Sequence, residues 1–171
     1  MAKKILKGAV LGAVVAALGL SATTANAAQE TATAKARILA EIQLTNTSDL
    51  EFATIISGAQ AGSVVVSTAG AVTCGTTLVC TGTTTAADFD IQGTDGAVVL
   101  ISGDTTVTLT ETVGGTATMD AALNYSTASV TLNAGPASVG GSFSVGGTLD
   151  VDANQESGAY EGTFNVTANY Q

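Results

Sequence analysis

Fourteen carboxylates and two cysteines are the side chains of this sequence with obvious chemical capacity, and histidine is absent. Without imidazole the commonest general base is missing, and neither a Ser–His–Asp nor a Cys–His arrangement can be built. No G-x-S-x-G elbow, P-loop or G-x-G-x-x-G turn occurs either. Catalysis would fall to acids alone, and Asp88, Asp90, Asp95, Asp104, Asp150 and Asp152 are the candidates for a glycosidase-type pair. They sit at predicted strand ends and turns, where Asp is common for conformational reasons. With aromatics at only 4% there is also little to stack against a sugar. The chain is therefore read as non-enzymatic and without a cofactor.

Metal binding has one candidate. Asp150, Asp152, Asn154 and Glu161 reproduce positions 1, 3, 5 and 12 of the calcium-loop pattern D-x-[DN]-x-[DN]-G-x5-E. Position 6 is Gln155 rather than Gly, and the flanks read as strands rather than helices. A polar turn joining two strands is the plainer reading, with these four residues kept as calcium candidates. Cys74 and Cys80 lack C-x-x-C spacing and any partner His, so a local disulfide is expected, closing a small ring on a hairpin or loop.

Targeting and charge bound the partners. Lys3, Lys4 and Lys7, the uncharged run Gly8–Leu20 and the small-residue site Ala25-Asn26-Ala27 have the three-part form of a secretory signal peptide. The run is too short to cross a bilayer as a helix, so no membrane span is expected. Removing residues 1–27 takes away three of the five basic residues and none of the fourteen acids, leaving a net charge of −12. Only Lys35 and Arg37 remain as cations, which argues against nucleic acid as a partner. An exported protein of the periplasm, cell surface or extracellular space is expected, with residues 28–171 forming one domain.

The elements that position these residues read as strands. Ala32, Ala34, Ala36, Ile38, Ala40, Ile42 and Leu44 alternate with a mostly polar set, giving one apolar face over residues 28–44. At the other end Tyr160, Phe164, Val166, Ala168 and Tyr170 share a face, and the chain is expected to stop inside that strand. Between them lie candidate strands near Leu50–Ile56, Ser63–Ser67, Phe89–Gln92, Val98–Ile101, Thr105–Thr112, Ser129–Leu132, Ser138–Val145 and Thr148–Val151, punctuated by Gly-rich turns such as Gly135-Pro136 and Gly146-Gly147. With no Trp and abundant Ala, Val, Thr and Gly, the core must be thin, as between two facing sheets. The expected fold is all-β, a sandwich with Greek-key connections.

Ala32–Leu44, Asp49-Leu50-Glu51-Phe52-Ala53-Thr54-Ile55, Gly147–Val151, Asn154-Gln155, Gly158, Tyr160 and Gly162–Tyr170 together resemble a family of small exported bacterial proteins, domain of unknown function 4402. The same two ends resemble, more distantly, the spore-coat-protein-U-like subunits of archaic chaperone–usher pili. Leu50, Phe52 and Thr54 match an L-x-F-G-T strand with Ala53 in place of Gly. Gly158, Tyr160, Val166, Thr167 and Tyr170 match a G-x-Y-x-x-x-x-V-T-V-x-Y strand with Ala168 in place of Val.

This second resemblance implies an immunoglobulin-like, pilin-like sandwich lacking or borrowing one strand, whose groove takes the N-terminal extension of the next subunit. It implies self-association, or a periplasmic chaperone and usher, as partners. Residues 31–42 would then be the donor strand of a structural subunit in a surface fibre. The alternative is a self-contained secreted sandwich that binds a glycan, a metal ion or another surface protein.

Overall fold

Short runs of β-branched and small side chains separated by glycine favour strands over helices, because branched side chains pack well on a pleated surface. The computed structural model describes residues 27–133 and 140–171. The predicted leader up to residue 26, the Gly135-Pro136 turn and the first residues of the predicted Ser138–Val145 strand lie outside the described residues. Residues 27–36 belong to a unit separate from 37–171; they are exposed and carry no regular structure.

Within 37–171 the strands are β1 (Gln43–Ser48), β2 (Thr54–Ile56), β3 (Gly62–Val66), β4 (Val72–Cys74), β5 (Val79–Thr81), β6 (Ala87–Gln92) and β7 (Val98–Gly103). They continue as β8 (Thr106–Glu111), β9 (Thr118–Tyr125), β10 (Ser129–Thr131), β11 (Gly141–Val151), β12 (Tyr160–Glu161) and β13 (Val166–Tyr170). One sheet runs β1-β6-β11-β9-β8-β12 and also carries β3, paired to β11, with β4 beyond it. A three-stranded sheet β10-β7-β13 and a pair β2-β5 complete the layout. Most neighbours are distant in sequence, so the connections cross over, and the all-β topology is consistent with a β-sandwich.

Strand β11 organises the large sheet. Its first half, Gly141–Val145, pairs with β6, and its second half, Gly147–Val151, pairs with β3. Residues Val145–Leu149 pair with β9 on the other side. The neighbour changes at Gly146, which sits against the backbone leaving β3: a Cβ there would run into the Val66 carbonyl oxygen and lie 2.8 Å from Ser67 C and Thr68 N.

Two apolar clusters follow from this division. Ala87, Phe89, Ile91, Phe143 and Val145 of the large sheet face Val99 and Ile101 of β7, with Leu132 beside them and Val166, Ala168 and Tyr170 of β13 packed against the cluster. Val64, Val66, Val107, Ala121, Leu149 and Val151 form the other with Phe52 and Leu78. Leu50, Leu123 and Phe164 touch both. Phe89 stacks on Phe143 at 5.1 Å and meets Phe164 edge-on at 6.5 Å, so few aromatics span much of the thin core.

The alternating segment 32–42 is not part of a strand: Ala32, Ala34, Ala36, Ile38 and Ala40 are exposed, and pairing begins only at Gln43. An alanine buries too little apolar surface for such a face to hold itself down. The segment joins the body through a polar knot at Ala40. Tyr170 donates its hydroxyl to the Ala40 carbonyl at 2.8 Å, the Ala40 amide donates to Thr94 Oγ1 at 2.7 Å, and the Thr94 amide donates to the Tyr170 oxygen at 2.8 Å. A similar pin holds the opposite end of the sheets, where Tyr125 donates to the Asp104 carbonyl at 2.8 Å. Burial, and secondarily the Asp104 charge, push the Tyr125 phenol above its ordinary pKa.

Gly146→Ala is expected to cost about 2 kcal/mol or more in urea unfolding, since overpacking against backbone has no soft side chain to absorb it. Gly58→Ala, whose new Cβ would meet nothing nearer than the Thr77 carbonyl at 3.9 Å, should stay within about 0.5 kcal/mol of the parent.

Candidate functional site

The segment after β1 cannot remain on the edge of the large sheet, because its backbone turns at Ala53, which holds φ at 62°. Glu51 forms an isolated bridge with Thr85, and beyond the turn β2 pairs with β5 instead. The turn sends the Phe52 side chain into the core while the next residues form a wall. Among the described residues β2 has no strand partner but β5. The second wall comes from the other end of the chain, where β12 pairs with β8 and β13 with β7. Among the described residues each of these wall strands is paired with a single neighbouring strand.

Between them runs a groove of about 1480 Å³, walled by residues 49–57 and 155–164. Phe89, Leu109, Met119, Leu149 and Val151 contribute its apolar floor, with Phe52 and Phe164 at the sides. The groove is closed at one end by polar contacts between the walls: Ser57 Oγ donates to the Gln155 carbonyl at 3.2 Å, and the Asn154 amide donates to the Gly58 carbonyl at 2.7 Å. Gln155 also donates through Nε2 to Tyr160 Oη at 2.9 Å, and Tyr160 donates to the Glu156 carbonyl at 2.7 Å, which stiffens the second wall. Four exposed acids stand on the walls, Asp49 and Glu51 on one and Glu156 and Glu161 on the other.

Cys74 and Cys80 are joined, with Cα atoms 6.0 Å apart. The bond ties β4 to β5 and therefore fastens the wall strand β2, through β5, to the β3-β4 arm of the large sheet. It closes a loop as the spacing suggested, and its position adds a mechanical role that spacing could not show.

The remaining candidates are dispersed. Among the described residues no three His, Cys, Asp or Glu side chains are placed to hold a metal ion together. Asp150 lies exposed on β11 opposite Ser63, the Asp152 carbonyl accepts from the Gln155 amide, and Asn154 takes the left-handed conformation at φ 54°. Glu161 is on β12 at the groove wall. Asp88 accepts from Ser144 Oγ at 2.6 Å beside a smaller polar depression of about 430 Å³. Asp104 accepts from the Asn165 amide and Nδ2. Of the alternating N-terminal residues, Ile42 and Leu44 are half-buried while Ile38 is 93% exposed. At the C-terminus Tyr160, Phe164, Val166, Ala168 and Tyr170 are all half-buried, and the residues between them are exposed. The floor residues Leu109 and Met119 were not singled out from sequence. Their alternation marks an apolar face, and only the fold shows that this face, half-buried against the core, also lines the groove.

A family model described as Domain of unknown function (DUF4402) matches residues 42–170, beginning where the exposed segment ends. No curated protein and no solved structure matches the chain.

Replacing both cysteines by serine is expected to lower stability by about 2 kcal/mol, and hydrogen exchange should show Thr54–Ile56 losing protection before β11 does. Ala53→Gly is expected to raise the urea midpoint, by up to about 1 kcal/mol of stability, because relief of the left-handed strain exceeds the glycine entropy cost.

Proposed function

The chain belongs to the domain of unknown function (DUF4402) family, and we propose that it is a structural subunit of a bacterial surface fibre, assembled by adding an extended strand to its groove. The observation that supports this reading is the groove itself, apolar at its floor and bordered on both sides by segments whose backbones are paired on one side only. A β-strand is the one insert that satisfies both needs, since its backbone bonds sideways to each wall while alternate side chains enter the floor.

The occupant in this reading is residues 31–42 of another subunit, with Ala32, Ala34, Ala36 and Ile38 on the inserted face and Ala40 and Ile42 giving up their contacts with Tyr170, Thr94 and their own core to follow them. The fold is then an immunoglobulin-like, pilin-like sandwich that borrows its last strand. A periplasmic chaperone would cover the groove before an usher delivers the subunit to the surface. The leader-type N-terminus and the acidic, disulfide-bonded body suit an exported protein of this kind.

The test is electrophoretic. Protein released from the cell surface should run unboiled on a denaturing gel as a ladder that collapses to monomer on boiling, and deletion of residues 28–42 should abolish the ladder. A single monomer band under both conditions would overturn the reading in favour of a self-contained exported binding module.

A further inference from the structure

Every charged side chain from residue 38 to 171 is acidic, and the only cations after the leader are Lys35 and Arg37. Both lie in the exposed segment, where residues 27–41 have no buried member. The groove, in contrast, carries Asp49 and Glu51 on one wall and Glu156 and Glu161 on the other, with no base among its lining residues. The cations thus all lie in an exposed segment and the acids on the walls of an open groove, a separation of charge that calls for an explanation.

We propose that Lys35 and Arg37 of one copy pair with Asp49, Glu51, Glu156 and Glu161 of a second copy, so that charge selects this chain's own extension as the occupant of its groove. The proposal rests on the strand-addition reading above and adds the identity of the partner and the means of its selection. Geometry supplies the register. When Ala34, Ala36 and Ile38 face the floor, the period-two pleat turns Lys35 and Arg37 to the opposite side, away from the floor and toward solvent. A strand seated between two walls lies about 4.8 Å from each, which brings side chains on its outer face alongside outward acids of both neighbours. Opposite charges so placed across strands attract, and like charges repel.

Competing occupants fare worse. No strand of the body offers a cation, and β6, β8, β9 and β11 would bring carboxylates against four more. The extension also carries bulk only at Ile38 and Ile42, so alanine knobs alone discriminate poorly and charge must contribute to selectivity. Because the pairs are exposed, the attraction should be screened by salt over about 10 Å at 0.1 M.

Lys35 is the one lysine beyond the leader, which makes carbodiimide coupling of amine to carboxylate unusually informative. An equal mixture of unlabelled and nitrogen-15-labelled mature protein, coupled and digested, should yield mixed-isotope peptides joining Lys35 to the Glu51, Asp49, Glu156 or Glu161 peptides. Exclusively same-isotope products would mean that the extension folds onto its own groove, and would overturn the proposal. Coupling of Lys35 only to a different protein in periplasmic material would overturn it in favour of a heterologous occupant.

Assembly rates give the second measurement. K35E/R37E, two substitutions in an exposed segment, should slow ladder formation at least tenfold at low salt, and adding E51K/E161K to that variant should restore much of the rate. The parent should slow as salt rises, whereas K35A/R37A should be nearly insensitive. Parental rates for K35E/R37E, with deletion of 28–42 still abolishing assembly, would overturn charge selection and leave strand addition standing. Assembly by the deletion variant would remove both. Circular dichroism and urea midpoints equal to the parent's would confirm that the rim variants are folded.

Discussion

A single strand serving two neighbours along one edge is the constraint on which the remaining architecture depends. Strand β11 gives its first half to β6 and its second to β3. The chain leaving β3 must pass the changeover within contact of the β11 backbone, and Gly146 provides the room. Because β6 and β3 diverge from that point, the large sheet presents two apolar patches rather than one. Each patch needs its own cover. The β10-β7-β13 sheet covers the first, with aromatic support from Phe89 and Phe143. The short β2-β5 pair and the Phe52 side chain pack on the second, where the half-buried Leu109 and Met119 line the groove floor beside the buried Leu149 and Val151.

This incomplete cover explains why the wall at residues 49–57 needs three separate restraints. The left-handed Ala53 redirects the backbone, the Glu51–Thr85 bridge fixes the point of departure, and the Cys74–Cys80 bond anchors the β5 strand to which the wall is paired. A three-residue strand with one neighbour has few backbone bonds of its own and would open readily without such ties. The opposite wall is held differently, by Gln155, Tyr160 and the β12–β8 pairing. An insert would therefore find both walls already held.

Much of this was legible in the residues, and the limits have physical causes. The alternation of Tyr160, Phe164, Val166, Ala168 and Tyr170 marked a single inward face because bulky residues at period two leave little choice. Strands β4, β5 and β9 leave little mark in the sequence, since Val72–Cys74 and Val79–Thr81 are short and mostly exposed and Thr118–Tyr125 mixes Asp and Asn into its apolar run. The Ala32–Leu44 alternation read as one strand but is paired only from Gln43, where the residues become large enough to bury. Pattern reports which side of an extended chain is apolar. It cannot report whether a neighbour stands beside it. The Gly-to-Ala difference at residue 53, relative to the resembled L-x-F-G-T strand, was visible in the sequence. Only the φ of 62° shows why glycine suits that position.

Open strand edges beside an apolar groove are normally hazards, because unpaired backbone invites pairing with any extended chain. Soluble proteins blunt such edges with charge or proline, and this one contains a single proline in its whole length. Charge is therefore the available defence, and the acids stand where it is needed, on the two walls of the groove. From residue 38 onward the chain has no cation, so it repels other acidic chains, and the same acids suppress accidental edge pairing. The repulsion is not uniform over the molecule, since Lys35 and Arg37 interrupt it in the exposed, alternating segment before β1. On the proposed strand-addition reading, a surface that repels acidic chains and takes up one short basic stretch needs no large hydrophobic knobs to be selective. That reconciles a groove of this size with an extension built mainly of alanine.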